Sequence, residues 1–330
     1  AGRVTLARYA APRFRAKRGR SLQAWAREIG DAVAESADAH RIADVEVGCF
    51  LSGGVDSSLI TCEMARRQPA VQCFSVGYAE KAYSELPAAR AAAQALGVPL
   101  TETTVTAEDF FAANRAIQWY LDEPMPNPAE VPLYFLCKAA RQRVKVVLSG
   151  EGADELFGGY NIYRDPFTAR WYDRLPPWLR AGLGAAAALL PPARGVNFLV
   201  RRGMSLEERY FGPTALFNER EKRRLLADYA GDGDPMFLTE AIWDATEGLD
   251  PVTRMQQVDL NFVAGRGHPA QGRQDEHGAQ FGAAGAVSGP GRSGRWPPRC
   301  PLPPRPTRAR RKIALRRAAA RTLPAASAAR

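Results

Sequence analysis

Two hydrophobic periods alternate along the first 160 residues. Segment 21–38, SLQAWAREIGDAVAESAD, spaces Leu22, Trp25, Ile29 and Val33 at helical intervals, so one apolar face predicts a lead-in helix. Short apolar runs follow at 45–51 (VEVGCFL), 70–78 (AVQCFSVGY) and 144–150 (VKVVLSG), and the more polar LTETTVT stands at 100–106. Their length and β-branched content predict strands. Helical stretches near 57–67, 84–96, 107–120 and 131–142 separate them. Strand and helix in alternation predict an α/β fold, a Rossmann-like parallel sheet with flanking helices. From about 165 to 262 the pattern turns helical, with Trp171, Tyr172, Trp178, Tyr210, Phe211, Phe217 and Trp243 as packing aromatics. An irregular Arg/Pro/Gly-rich tail follows. The expected organisation is a helical lead-in at 1–42, an α/β core at 43–165, a helical part at 166–262, an irregular segment at 263–309 and a remnant helix at 310–330.

With 330 residues, 46% of them hydrophobic, the chain can bury one large core or two modest ones. The most apolar stretch, LRAGLGAAAALLPPARG around residue 180, is closed by Pro191 and Pro192 and falls short of the roughly 18 residues a membrane span needs. No membrane interaction is expected. The basic N-terminal stretch lacks the apolar centre of a secretory signal, so a cytoplasmic location is expected. Cys49, Cys62, Cys73, Cys137 and Cys300 are odd in number and show no CxxC pairing, which argues against a disulfide framework or zinc site. Cys49 and Cys62 read as small core residues rather than nucleophiles.

Net charge is +10, but it is not spread evenly. From Val263 onward, thirteen Arg and one Lys face only Asp275 and Glu276, a surplus of +12, so the first 262 residues carry −2. A nucleic-acid partner would therefore have to be bound by the tail alone, and none is expected.

The chemistry is concentrated after two strands. LSGGVDSS, Leu51 to Ser58, runs from the first strand into a helix. Glycine and hydroxyl residues there let backbone N–H groups approach oxygens closely, at the positive end of a helix dipole. Ser52, Ser57 and Ser58 can donate hydroxyl hydrogen bonds to phosphate. Asp56 fits beside a polyanion only if a divalent cation stands between them, which implies magnesium. The loop lacks the lysine of a Walker-type site. VVLSGEGADELFGGY, Val146 to Tyr160, leaves a second strand through Ser149 and Gly150 and presents Glu151, Asp154 and Glu155. Alone this would read as a solvated acidic turn. Beside the first loop it makes sense if one carboxylate holds magnesium and another handles a substrate proton or ammonium.

Leu51 to Ser58 resembles the pyrophosphate loop S-G-G-x-D-S of the ATP pyrophosphatase superfamily, whose members cleave ATP to AMP and pyrophosphate while adenylating a substrate. The second motif resembles S-G-(E/D)-G-(A/S/G)-D-E-(L/V)-F-G-G-Y of the synthetase domain of glutamine-dependent asparagine synthetases. The likeness is dense over residues 20–165 and includes FSVGY at 74–78, LDEPMPNPAEVPLYFLCKAAR at 121–141 and RKIALRRA at 311–318. It implies ATP and Mg2+ as cofactors and aspartate and ammonia as substrates, joined through β-aspartyl-AMP. Leu51 and Val76 would flank adenine, while Ser52, Gly53, Gly54, Ser57, Ser58, Ser149 and Gly150 would contact the nucleotide. Asp56 and Asp154 would ligate magnesium, and Glu151 would serve formation and attack of the adenylate. Related β-lactam-forming enzymes tend to carry a non-acidic residue at the Glu151 position, which favours asparagine synthesis. The family's N-terminal glutaminase domain is not expected in this chain, nor is the lysine that the family carries shortly after an element like RTLPAA at 321–326. A homodimer is allowed by the resemblance.

After QVDLNF the family has a segment like D-I-L-x-K-V-D-R-M-S-M-A-H-S-L-E-x-R-V-P-F-L-D, whereas this chain reads GRGHPAQGRQDEHGAQF. Reading each codon from its second base restores the motif. His268 and Pro269 (CAY-CCN) permit ATC, Ile; Gln271 with Gly272 permits Lys; Gly272 with Arg273, Val; Arg273 with Gln274, Asp; Gln274 with Asp275, Arg. Asp275 to Gln280 permit M-S-M-A-H-S, and Phe281 to Gly289 permit L-E-x-R-V-P-F-L-D. Residues 263 to about 309 are therefore expected to be an out-of-frame translation, with the frame restored before RKIALRR. The competing reading is a genuine low-complexity tail. By the same reasoning His268, His277, Asp275 and Glu276 are not a metal site, and the chain as written is expected to be inactive. The other enzymatic reading is a related adenylating ligase of the β-lactam-forming or peptide-cyclising type. Lys312, Arg316 and Arg317 would line the phosphate site in an intact enzyme of this family but read here as a solvated helix face, His40 reads as a helix-end residue, and Tyr83, Ser84 and Glu85 as the cap of the helix that follows.

Overall fold

The computed structural model describes residues 14, 19–121, 127–169, 171–191, 193–210, 219–229, 236–263, 282–285 and 312–323. Two compact units divide these residues between Phe157 and Gly158, earlier than the boundary expected at 165. The unit that begins at Arg15 takes up the lead-in helix, the α/β core and the residues from Lys312 onward.

In that unit helix α1 (Leu22–His40) opens on Ser21, whose side chain accepts from the Ala24 N–H at 3.1 Å, an ordinary N-cap. Its apolar face buries Trp25, Ile29 and Val33, each contributing roughly 1.5–3 kcal/mol by leaving water. Strand β1 (Val47–Phe50) leads into α2 (Val55–Arg67), β2 (Cys73–Tyr78) into α3 (Leu86–Leu96), and β3 (Leu100–Val105) into α4 (Ala107–Tyr120). Helix α5 (Glu130–Ala140), β4 (Val146–Ser149) and the single-turn α6 (Ala153–Phe157) follow. The sheet runs β3-β2-β1-β4-β5, every pair parallel. Thus the expected strands and their helices form, with ends within a few residues of those read from the pattern.

Strand β5 (Gly282–Gly285), sequence GAAG, was not expected. It lies inside the stretch read as irregular and pairs Val146 with Gly282 and Ser149 with Gly285. The whole Gly265–Phe281 stretch, with both its histidines, lies outside the described residues. Phe74, Leu136, Cys137, Ala140, Val144 and Val147 form one core between α5 and the sheet. The helix Ile313–Thr322 packs on α1 and α2 and buries Ala314, Leu315, Ala318 and Ala319.

In the other unit the described residues between Gly158 and Val263 are mainly helical. Tyr163, Tyr210, Trp243, Val252, Met255 and Val258 form its core. Within it the fully buried Asp259 accepts from the hydroxyls of Tyr163 and of Tyr210, the latter at 2.6 Å. Burial first, and Asp259 second, push the Tyr210 hydroxyl far above its usual range, so it stays a donor. Arg202 is also buried and holds Asp165, Asp173 and Thr168. No described helix is long and apolar enough to cross a membrane.

Candidate active site

In an open parallel sheet the ligand crevice lies beyond the carboxyl ends of the strands, where strand order reverses. Here that point falls between β1 and β4, which pair directly through Gly48↔Val147 and Cys49↔Leu148. The two motifs leave these two strands, so the topology alone brings them side by side.

Glycine then sets how close they come. A Cβ on Gly150 would stand 2.9 Å from the Ser57 nitrogen and 3.0 Å from both the carbonyl carbon and the Cβ of Asp56. The second turn therefore lies directly on the first turn of α2. Gly53 has φ +76°, and a Cβ there would stand 2.4 Å from the Ala88 carbonyl carbon, so only glycine fits. The loop between them is tied by its serines. Ser57 Oγ lies 3.0 Å from Ser52 Oγ, accepts from the Ser52 N–H at 3.2 Å and donates to the Gly54 carbonyl at 3.3 Å, while the Gly54 N–H donates to Ser52 Oγ at 3.3 Å. Helix α2 has no side-chain cap, which leaves its first N–H groups for an anion.

The two acidic residues expected to share a metal are joined by a lysine. Lys312 Nζ lies 2.5 Å from Asp56 Oδ2 and 2.7 Å from Asp154 Oδ1, with the Lys312 side chain only 7% exposed. Of the two sequence readings of Lys312, the solvated face is corrected: the helix Ile313–Thr322 packs against α1 and α2, and its N-cap residue, Lys312, reaches the site. Arg316 is half-buried and electrostatically close to Asp56, whereas Arg317 is exposed. Burial, the largest influence, raises the Asp56 carboxyl above its ordinary value; Lys312 and Arg316 lower it, and Asp154 raises it. Burial thus outweighs the two cations at this carboxyl. Asp56 Oδ1 is buried without a hydrogen-bond partner.

Glu151 is exposed, its N–H donating to Ser149 Oγ at 3.4 Å, while Glu155 turns into the core at 2% exposure. Ser149 is buried at the strand end and Val76 is half-buried on neighbouring β2. Leu51 is buried and its N–H donates to the Phe74 carbonyl at 2.9 Å. Ser58 differs from its expected setting: it is fully buried on the inner face of α2 with Oγ unpartnered. The cap expected from Tyr83, Ser84 and Glu85 is corrected too. Glu85 occupies the cap position without a side-chain hydrogen bond, its carbonyl taking the Ala88 and Ala89 N–H groups. A hollow of about 680 Å³ lies at the far end of α2, where Arg66 and Arg67 are already paired with Glu63.

Cys49, Cys62, Cys73 and Cys137 are all buried. Burial pushes the Cys73 thiol up to about 12 and raises Cys49 and Cys62 as well. Thiolate is the reactive form, so disulfide reagents at pH 8 should label Cys49 and Cys73 at least about a hundredfold slower than free cysteine, measured by peptide mapping. A raised thiol contributes stability that is complete below its unfolded value and lost as pH climbs towards about 12. Fast labelling of Cys73 in the folded chain would contradict the packing of β1 on β2.

Residues 28–265 match the family model described as asparagine synthase. A Mycobacterium tuberculosis protein provisionally named asparagine synthetase (glutamine-hydrolyzing) is 43% identical over 258 residues, which cover 77% of this chain and 40% of that protein. Asparagine synthetase (glutamine-hydrolyzing) 1 of Bacillus subtilis is 38% identical over 236 residues, 71% of this chain and 37% of that protein. The chain thus spans about two fifths of the length of these relatives. Among solved structures, the NH3-dependent NAD synthetase of Campylobacter jejuni aligns over 56% of this chain and 94% of its own, at 14% identity and a TM-score of 0.28.

Proposed function

The chain belongs to the asparagine synthase family, and on that premise we propose that its α/β unit adenylates the side-chain carboxylate of aspartate with ATP and passes the acyl group to ammonia. The observation that carries this reading is the approach of Gly150 to Asp56 and Ser57, which sets Asp56 and Asp154 around one lysine ammonium. A free carboxylate is a poor acyl donor. Attack on the α-phosphorus of ATP converts it to β-aspartyl-AMP, which ammonia opens to asparagine and AMP.

The chain's own groups supply binding and charge. The N–H groups at the start of α2 and the Ser52 and Ser57 hydroxyls offer donors fixed before pyrophosphate departs, so little reorganisation opposes the developing charge. Ser149 and Gly150 lie against the same turn and would bound the nucleotide between β1 and β4, with Leu51 and Val76 at its adenine end. Glu151, exposed beside Ser149 and Gly150, would meet the aspartate and the incoming ammonia. Asp56 and Asp154 would hold magnesium, and the buried, unpartnered Asp56 Oδ1 fits a cation there. Two carboxylates completed by substrate phosphates are a usual magnesium set. When bound, the ion would spread the charge of the leaving pyrophosphate.

The reading includes the broken frame. The family match ends at residue 265, beside the break inferred at Val263, and the helix Ile313–Thr322 lies within the family-like RKIALRRA stretch and the residues that follow it. Sequencing the DNA between the codons for Asp259 and Lys312 tests it; one clean frame with codon usage like its flanks would overturn it. The chain as written should catalyse aspartate-dependent exchange of pyrophosphate into ATP at least about a hundredfold more slowly than the chain expressed in the restored frame. In that restored chain Glu151→Gln should lower exchange about a hundredfold. Stimulation by an amino acid other than aspartate would replace asparagine synthesis with the β-lactam-forming or peptide-cyclising type, and salt-sensitive nucleic-acid binding by the tail would add a partner not proposed here.

A further inference from the structure

We propose that Lys312 is a resident counter-cation that occupies the metal position between Asp56 and Asp154 until a nucleotide arrives, so that divalent cation binds together with phosphate and not before it. The inference deepens the reading of this site as one for a metal–nucleotide complex. Its first ground is geometric. The ammonium lies 2.5 Å and 2.7 Å from one oxygen of each carboxylate, which are the oxygens that two-carboxylate ligation of a small cation would use. An ion seated between the same oxygens would stand within contact distance of a second positive charge, and at so short a separation the two cations repel.

The second ground is how the lysine is held. Lys312 is the only described non-glycine residue with positive φ, at 50°, and it sits at the cap position of the helix Ile313–Thr322. Such a backbone is strained for a side-chain-bearing residue and persists where the surroundings over-determine it. The surroundings here are the packed helix behind it and the two carboxylates ahead. The third ground is the uneven use of Asp56. Its Oδ2 meets Lys312, while Oδ1 is buried without a partner. One lysine therefore answers only part of the carboxylate. Phosphate oxygens arriving at the start of α2 would compete for the ammonium, draw it from the carboxylate oxygens and leave these for the cation that accompanies the phosphates. Lys312 would then be a positioning residue whose charge makes metal and nucleotide binding interdependent.

Mn2+ serves as the probe, added to the nucleotide-free 330-residue chain and followed by the loss of the free-ion electron paramagnetic resonance signal. The chain should bind Mn2+ at least about tenfold more weakly than its Lys312→Met variant, and adding Asp56→Asn to that variant should remove the gain. A non-hydrolysable ATP analogue should bring the unaltered chain up to the affinity of the variant. Equal Mn2+ affinity of the two chains without nucleotide would overturn the proposal. If Lys312→Met does not fold, reductive methylation of the unaltered chain decides. Lys312 should be protected in the absence of ligand and in Mn2+ alone, and labelled once the nucleotide analogue is present; exposure by Mn2+ alone would overturn the proposal. These readouts use no amino-acid substrate. Failure of aspartate to stimulate pyrophosphate exchange in the restored-frame chain would therefore sink the proposed function and leave this inference standing.

Discussion

Replacement of Gly150 by valine should weaken binding of a magnesium–ATP analogue at least about a hundredfold while the sheet stays folded. The reason is steric and local. The first atom of any side chain at 150 would stand 2.9–3.0 Å from the backbone of Asp56 and Ser57 and from the Asp56 Cβ, all within the first turn of α2. A helix backbone cannot yield as a flexible side chain does, and close-packed interiors pass such strain on rather than absorb it. The two turns would separate, carrying Asp154 away from Asp56, and displacements of about 1 Å at a reacting centre cost on the order of a hundredfold. Calorimetric titration with the analogue measures the loss, and far-ultraviolet circular dichroism checks the fold. Gly182→Ala is the control, since a Cβ there meets nothing within 4 Å and helix propensity favours alanine by about 1 kcal/mol. Binding within threefold of the original for Gly150→Val would mean that the turns need not touch to hold a nucleotide.

The second large effect is on stability. Arg202→Met should cost about 3 kcal/mol in the helical unit. The Arg202 side chain is 4% exposed and its guanidinium donates to the Asp165 carbonyl at 2.6 Å, to Thr168 Oγ1 at 2.7 Å and to Asp173 at 3.2 Å. Methionine retains much of the packed stem but leaves two carboxylates and a carbonyl without their main donor. Arg209, 3.1 Å from Asp165, and Arg180, 3.8 Å from Asp173, keep part of the compensation, which places the cost at the low end for a broken buried pair. Urea unfolding followed through Trp243 fluorescence reads the change, and a loss below about 1 kcal/mol would show that the neighbouring arginines suffice.

Much of the α/β unit was legible because its signals are local. Apolar runs such as VKVVLSG can be buried on both faces only as central strands, and the helices between them repeat at their own period. The glycine and serine residues of Leu51–Ser58 announced an anion loop for the same reason: backbone access and hydroxyl donors belong to the residues themselves. Ser58 shows the limit. Its hydroxyl suits phosphate, but one helical step beyond Ser57 turns a side chain by about 100°, from the cleft into the core. Helix α3 likewise begins at Glu85 without the side-chain cap that Tyr83-Ser84-Glu85 led us to expect, because backbone donors took the Glu85 carbonyl instead.

The sequence by itself determined the alternation of strand and helix, the two motif-bearing turns and the residue types that give them an affinity for anions and cations. Only the tertiary structure decided that Gly150 lies on Asp56, that Ser58 and Glu155 face inward, and that Lys312 reaches two carboxylates across 256 positions of chain in the case of Asp56. The physical reason is that helix period, strand period and turn chemistry act over a few residues. The partner of a buried charge, by contrast, is chosen by which elements pack together, and no spacing along the chain records that choice.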